Sequence, residues 1–298
     1  MSPWKYSKAE MKNDEENAGC QQDTQSEEAP DPESQTIRLL SWNIDGLDKV
    51  AILERTNAVC DIIDKVNPHA VFLQEVTLLT QAMLTARCPN YQLIPGGAGS
   101  YYTCMLLKKG EVEITHDQIL PFPDTTMGRN LLIVQCRIKE KIFVLMTSHL
   151  ESTGECSEER VDQLETAFRM MQKSSQSSTV IFGGDLNLRD QEVASIGGPP
   201  PGIYDIWETT GRRQETAFTW DMSLNDNKDF GQFKPKKRFD RLYVRGAEPP
   251  VIEPISLEHV GLERVASCGK YPSDHWGLFT QFSTVVKVKV KIFANKVE

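Results

Sequence analysis

Apolar runs of strand length recur through this chain, and each of several stops on a polar residue able to hold a metal ion or a phosphate. "IRLLSWN" ends on Asn43, "AVFLQE" on Glu75 and "IFVLMTSH" on His149. "VIFGGDLN" closes with Asp185 and Asn187, "FDRLYVR" opens after Phe239 with Asp240, and "YPSDH" sets Asp274 and His275 directly before "WGLF". Apolar runs of about four to eight residues between turn signals read as buried strands. "YYTCMLL" and "LLIVQC" add two more candidates. Helical spacing is confined to a few segments. "VAILERTNAVCDIIDKV" places Ile52, Val59, Ile63 and Val66 on one face, with Asn67-Pro68 as its stop. A second helix follows Ser157, the expected N-cap, with Glu158 and Glu159 in its first turn and Val161, Leu164, Phe168 and Met171 as its stripe. Many strands with few long helices fit two packed sheets covered outside by helices.

Each polar strand end also has a plain structural explanation. Asp185 and Asn187 follow Gly183 and Gly184, a composition suited to a turn. Strand alternation would instead aim both side chains at one target while Leu186 points away. Asn43 could cap a turn, Glu75 could sit on a solvated edge, His149 and His275 could be structural, and Asp240 could pair with Arg241. The recurrence at five or six strand ends favours a single site at one rim of the sheets.

Such a site offers oxygen ligands, few histidines and no paired cysteines, so a hard divalent cation fits best, magnesium first and manganese next. Glu75 is the strongest single metal ligand. Asp185 can take a proton from an attacking water while Asn187 orients it or holds a phosphate oxygen. His275 can donate to a phosphoryl group if Asp240 keeps it in the donating form. No Ser-His-Asp or Cys-His nucleophile is visible, which favours direct attack by water.

The net charge of −9 argues against tight, non-specific binding of long duplex DNA. Residues 1–36 hold nine acidic and three basic side chains, which is −6 of that total. This acidic segment is expected to be disordered, with order beginning at Ile37. The seven cysteines are scattered without a CxxC pair, and the N-terminus is too charged for a secretory signal. Both point to a reducing compartment, nucleus or cytoplasm. No apolar run approaches the ~20 residues that a membrane span needs. "KPKKR", residues 234–238, could supply local phosphate contacts or be a solvated basic loop. "VKVKVKI" near the C-terminus reads as a half-exposed edge strand within a basic extension over 284–298.

"SWNIDGLD", "FLQE", "TSHLEST", "GGDLNLRD" and "SDHWGL" resemble, in order, the signature blocks of the endonuclease/exonuclease/phosphatase superfamily over about residues 37–283. The resemblance implies an α/β fold, a four-layer sandwich of two packed, mainly antiparallel sheets flanked by helices. It also implies magnesium-dependent phosphoester hydrolysis. "MGRNLL", "FTWD" and "RFDR" are similar to a branch of the superfamily that cuts the bond between a tyrosine and a 5′ DNA phosphate, as in trapped topoisomerase 2.

That resemblance implies a role for each residue. Glu75 binds the metal with Asn43 beside it and Asp274 supporting. Asp185 and Asn187 handle water and phosphate, His149 and Ser152 hold phosphate oxygens, and Asp240 orients His275. Arg189, Arg129, Tyr101 and Trp220 wall a DNA groove. The implied partners are single-stranded 5′ DNA ends with tyrosyl adducts, and by extension tyrosyl–RNA links. A monomer is expected. Members of that branch commonly carry a ubiquitin-associated helical domain. The first 36 residues lack the composition for one, which argues against ubiquitin binding. Other members of the superfamily, such as abasic-site endonucleases and deadenylases, and a non-catalytic scaffold are the alternative readings.

Overall fold

A computed structural model of the protein describes residues 35–284. The expectations for the acidic N-terminal segment and the basic C-terminal extension lie outside the described residues, except at their inner edges. Thr36 already opens the first strand and Thr284 closes the last.

The chain runs β1 (Thr36–Asn43), α1 (Ile52–Val66), β2 (Ala70–Val76), α2 (Leu78–Arg87), β3 (Tyr91–Pro95) and β4 (Tyr102–Lys108). It continues through β5 (Val112–Pro121), β6 (Asn130–Ile138), β7 (Lys141–Thr147), α3 (Ser157–Lys173), β8 (Thr179–Asp185) and α4 (Asp190–Ser195). After β9 (Ile203–Asp205) and α5 (Ile206–Thr209) come the short β10 (Trp220–Asp221) and β11 (Lys236–Lys237), then β12 (Asp240–Arg245), β13 (Ile252–Val260) and β14 (Gly277–Thr284).

Two six-stranded sheets result, ordered β13-β14-β1-β2-β4-β3 and β5-β6-β7-β8-β12-β9. Each contains one parallel pair, β1/β2 and β7/β8, and its other neighbours are antiparallel. Parallel neighbours need a long crossover. α1 supplies it in the first sheet and α3 in the second. The sheets pack face to face through Leu39, Phe72, Met105, Leu145, Ile181 and Leu242. α1 covers the outer face of the first sheet with Val59, Cys60 and Ile63 against Leu40, Val71 and Leu73. α3 covers the second with Leu164, Phe168 and Met171 against Ile133, Val180 and Phe182. The central strands are apolar on both faces because each face meets a layer. The architecture is the expected four-layer α/β sandwich.

Some local expectations fail for identifiable reasons. Ser157 is the first helical residue of α3 rather than its N-cap, which is Cys156. The Ser157 hydroxyl donates to the Glu192 carboxylate (2.7 Å) instead of to the helix end. β5 has few buried residues and no clean alternation, so it left no signal. α2 is capped by Thr77 with Thr80 at the third helical position, not by the acidic partner that marks most capping boxes. No helix among the described residues is long and apolar enough to cross a membrane.

Both parallel pairs deliver their C-terminal ends to one rim. β1 ends at Asn43 opposite Gln74 of β2, and Asp185 at the end of β8 lies opposite Asp240 at the start of β12. Gly184 makes the approach possible. Its φ is +144°, and a Cβ there would lie 2.1 Å from the Ser148 carbonyl oxygen. Gly184→Ala should therefore cost about 3 kcal/mol or more in a chemical-denaturation series, from backbone strain and overlap together. Gly154→Ala, at a position with open space around it, should stay within about 0.5 kcal/mol of the parent.

Candidate active site

Asp185 is the meeting point of the rim. Its Oδ2 accepts from Asn43 Nδ2 at 2.9 Å, lies 3.3 Å from His149 Nε2 and 3.8 Å from His275 Nε2. Its Oδ1 accepts the backbone N–H of Asn187 at 3.1 Å. Asn187 lies past the end of the strand with φ +51°, and its amide nitrogen reaches the Leu150 carbonyl at 3.3 Å. The alternation expected to align Asp185 with Asn187 is therefore not what aligns them. An Asx-type turn does so, and the turn and the site are one feature.

His275 Nδ1 lies 2.8 Å from Asp240 Oδ2 in a buried pair. Burial alone would favour the neutral ring. The carboxylates of Asp240 and Asp185 outweigh it and hold the imidazole well above its ordinary value. His149 behaves oppositely. Burial, with Arg129 and His275 adding to it, pulls its pKa to about 3 against the pull of Asp185, so it is neutral. Two histidines beside one carboxylate thus have opposite charge states, a division suited to acid chemistry on one side only.

Glu75 sits where the β2/β4 register shifts, in a left-handed conformation with φ +58°. Gly46 permits this, since a Cβ there would be 2.1 Å from the Glu75 carbonyl oxygen. Asn43 Nδ2 bridges Glu75 Oε1 (3.1 Å) and Asp185 Oδ2, while its Oδ1 accepts from the Asp45 backbone N–H (2.9 Å). Asn43 thus joins the two carboxylates as a donor. Burial and the neighbouring charge of Asp274 raise the Glu75 carboxyl to about 7. Asp45 rises to about 6 for the same two reasons, even with Lys228 and Arg55 beside it. Carboxylates that burial and mutual repulsion raise, even with Lys228 paired to Asp45 at 2.9 Å, offer the all-oxygen donor set that suits a hard divalent cation. Asp185, Asp240 and His275 also bring ligand atoms within 4.8 Å of one another. There the imidazole is committed to Asp240 and protonated, so the carboxylates around Glu75 are the better cradle.

Two walls flank this centre. On one side the Arg129 guanidinium lies over the Tyr101 ring (5.3 Å), which meets His149 edge-on (6.3 Å). These three line a pocket of about 260 Å³. On the other side Trp220 donates from Nε1 to Asp274 Oδ2 (3.1 Å) and packs against Phe239, which tilts toward His275. Arg189 lies over Phe239 and donates to the Asn187 carbonyl. Ser152 is not drawn into this cluster; its hydroxyl turns to the Met127 sulfur (3.1 Å).

Sequence reasoning missed the residues that hold the rim loops. Arg55 of α1, buried, uses all five N–H groups on the carbonyls of Ile44, Asp45, Asp48, Val50 and Pro272. Arg160 of α3 donates to the Glu192 carboxylate and to the carbonyls of Glu151 and Thr153. Glu192 also accepts the Arg189 backbone N–H. Glu151 takes hydrogen bonds from Thr125, Thr126 and Met127 and so fixes the loop that leads into Arg129. Ser273 donates to the Asn43 carbonyl and accepts from the His275 N–H. A charge inside an apolar helical stripe was the available signal for both arginines.

The model of the endonuclease/exonuclease/phosphatase family matches residues 40–275. The chain is similar to tyrosyl-DNA phosphodiesterase 2 of Gallus gallus, with 47% identity over 252 residues covering 84% of this chain and 68% of that protein. Its likeness to the Homo sapiens protein of the same name is 41% over 262 residues, 88% of this chain and 72% of the other. Among solved structures it resembles the Danio rerio enzyme complexed with single-strand DNA product. That likeness has a TM-score of 0.81 and 38% identity, over 84% of this chain and 99% of that one.

The raised Glu75 carboxyl has a measurable consequence. The folded chain holds this proton more tightly than the unfolded chain does, so its ionisation removes stability as pH rises from about 4.5 through about 7. In chelator, unfolding free energies compared between the parent and Glu75→Gln should show the parent losing stability over that window relative to the variant. Magnesium should raise the melting temperature of the parent more at pH 8 than at pH 6, and much less in Glu75→Gln. Equal pH dependence in the two chains would contradict the assigned environment.

Proposed function

This chain belongs to the endonuclease/exonuclease/phosphatase family, and we propose that it is a phosphodiesterase that cleaves the bond between a 5′ DNA phosphate and a tyrosine. The observation that carries the reading is the trio at the rim: the buried Asp185 carboxylate with a cationic imidazole, His275, and a neutral one, His149, both beside it. The similarity to proteins named for that reaction supports the choice of ester.

In this mechanism Asp185 accepts the proton of a water molecule attacking in line with the leaving oxygen. Asn187 orients that water, its own position fixed by the turn onto Asp185. His275, kept protonated by Asp240, donates to the phosphoryl oxygens as negative charge builds there. Neutral His149, 3.3 Å from the same Asp185 oxygen that His275 approaches, limits the drift of the base. Glu75, with Asp274 close by, would hold magnesium, or manganese in its place; the bound cation supplies Lewis-acid stabilisation of phosphoryl charge. A phenolate leaving group has a pKa near 10, far below that of an alcohol, so it departs with little help from a general acid. No covalent intermediate is required, and the products are a 5′-phosphate and a free tyrosyl peptide. Trapped topoisomerase 2 tyrosine is the natural form of such a linkage, and the nucleus is where it arises.

The substrate enters as a single strand between the Tyr101–Arg129 wall and the Trp220–Phe239 wall. Stacking and a few charged contacts suit a protein of acidic net charge better than a wide basic surface would.

A 5′-phosphotyrosyl oligonucleotide with magnesium should be converted to the 5′-phosphorylated strand, and excess chelator should stop the reaction. Asp185→Asn should fold like the parent and lose about 10³-fold in kcat. An intact substrate with the parent protein would overturn the proposal, as would efficient nicking at abasic sites without action on the tyrosyl ester.

A further inference from the structure

The basic stretch before Asp240 has a place in the fold that the reaction does not account for. Lys236, Lys237 and Arg238 meet Arg189 and Arg241 around a second pocket of about 380 Å³, with Asp190 the acid among its lining residues. This is a concentration of positive charge on a chain whose net charge is −9. The cations are held in position rather than left free. Lys236 lies over the Phe218 ring (4.8 Å) and Arg238 over the Trp207 ring (4.6 Å). Arg238 also pairs with Asp205 at 2.7 Å, and Arg241 with Asp190 at 2.6 Å.

Arg241 supplies a second, independent observation. It is 3% exposed, it lines the pocket, and its Nε has no hydrogen-bond partner among the described residues. A buried guanidinium donor without a partner carries a desolvation cost that an anionic acceptor would remove. Asp190, the carboxylate that partly balances Arg241, lies on the open side of the pocket with its side chain 83% exposed. The aromatic faces are already covered by cations, so they are not platforms for bases. Phosphate, not nucleobase, is the chemistry that the pocket fits.

The pocket shares Arg189 with the candidate active site, and Asn187, whose carbonyl Arg189 holds, is two residues away. β11, which carries Lys236 and Lys237, pairs with β10, which carries Trp220 of the groove wall. We propose that this pocket is a backbone-phosphate subsite for the nucleic-acid strand that extends beyond the scissile phosphate. It would make the enzyme prefer long strands over mononucleotide esters. The inference rests on the proposed phosphodiesterase reading for its ligand. Its test can fail separately.

Lys236 and Lys237 are exposed and enter their short strand through backbone atoms, so replacing them leaves the fold intact. The full chain and its Lys236→Ala/Lys237→Ala double variant would be titrated by fluorescence anisotropy against a 5′-phosphorylated single-stranded 12-mer and a dinucleotide. The variant should bind the 12-mer about tenfold more weakly at 0.1 M salt, and its log Kd against log salt slope should fall by about 1.4, as for two lost single-strand contacts. Binding of the dinucleotide should be unchanged. In turnover, KM for a tyrosyl 12-mer should rise with kcat preserved. Parent-like affinity for the 12-mer would overturn the proposal, and so would an equal loss on the dinucleotide, which would place the effect in the active site. Lysine-dependent binding of the 12-mer by a parent protein that leaves the tyrosyl ester intact would support the subsite while overturning the proposed reaction.

Discussion

One hydrogen bond carries the assembly of this site: Asn43 Nδ2, at the end of a strand in one sheet, to Asp185 Oδ2, at the end of a strand in the other. The sandwich brings the two ends together, but packing of apolar faces is tolerant of small shifts and does not by itself fix polar atoms. Asp185 is almost wholly buried, and an ionised carboxylate removed from water persists only where donors surround it. Asn43 and the Asn187 N–H donate to it, and the imidazoles of His149 and His275 lie 3.3 and 3.8 Å away, so the cost of burying the charge is offset by groups that line the site. Because the same Asn43 nitrogen also reaches Glu75, the Asp185 and Glu75 carboxylates share one positioning group.

Around that contact the two buried arginines act at a distance. Arg55 gathers the loop after β1 and the segment before His275 onto α1, and Arg160 gathers the segments after β7 and β8 onto α3. A buried guanidinium is stabilising only with its donors satisfied, so each loop is held where the arginine's geometry requires it. The crossover helix of each β-α-β unit therefore has two duties. It covers the sheet with its apolar stripe, and it clamps the catalytic loops with one charge set in that stripe.

Much of this was legible in the residues. Continuous apolar runs and the two helical stripes gave the layers, and the polar strand ends gave Asn43, Glu75, His149, Asp185 and Asp240. What was hidden depends on contacts remote in sequence. β5 is an edge strand with little to bury, so it has no alternation to display. The left-handed backbone at Glu75 follows from a bulge paired against β4, which no local propensity specifies. Ser157 looked like a helix cap because its acceptor, Glu192, lies 35 positions away. Asp185 and Asn187 seemed to demand a choice between turn and site, and the structure makes the turn the device that aims the site.

The central claim is that Asp240 and Asp185 hold His275 as a cation next to a neutral His149. Imidazole NMR titration of the two rings tests it most directly, in the metal-free protein and in Asp240→Asn. The His275 ring should titrate well above an ordinary imidazole, the His149 ring should remain neutral down to about pH 4, and the His275 midpoint should fall in the variant. Midpoints near 6.5 for both rings, unmoved by the substitution, would contradict it.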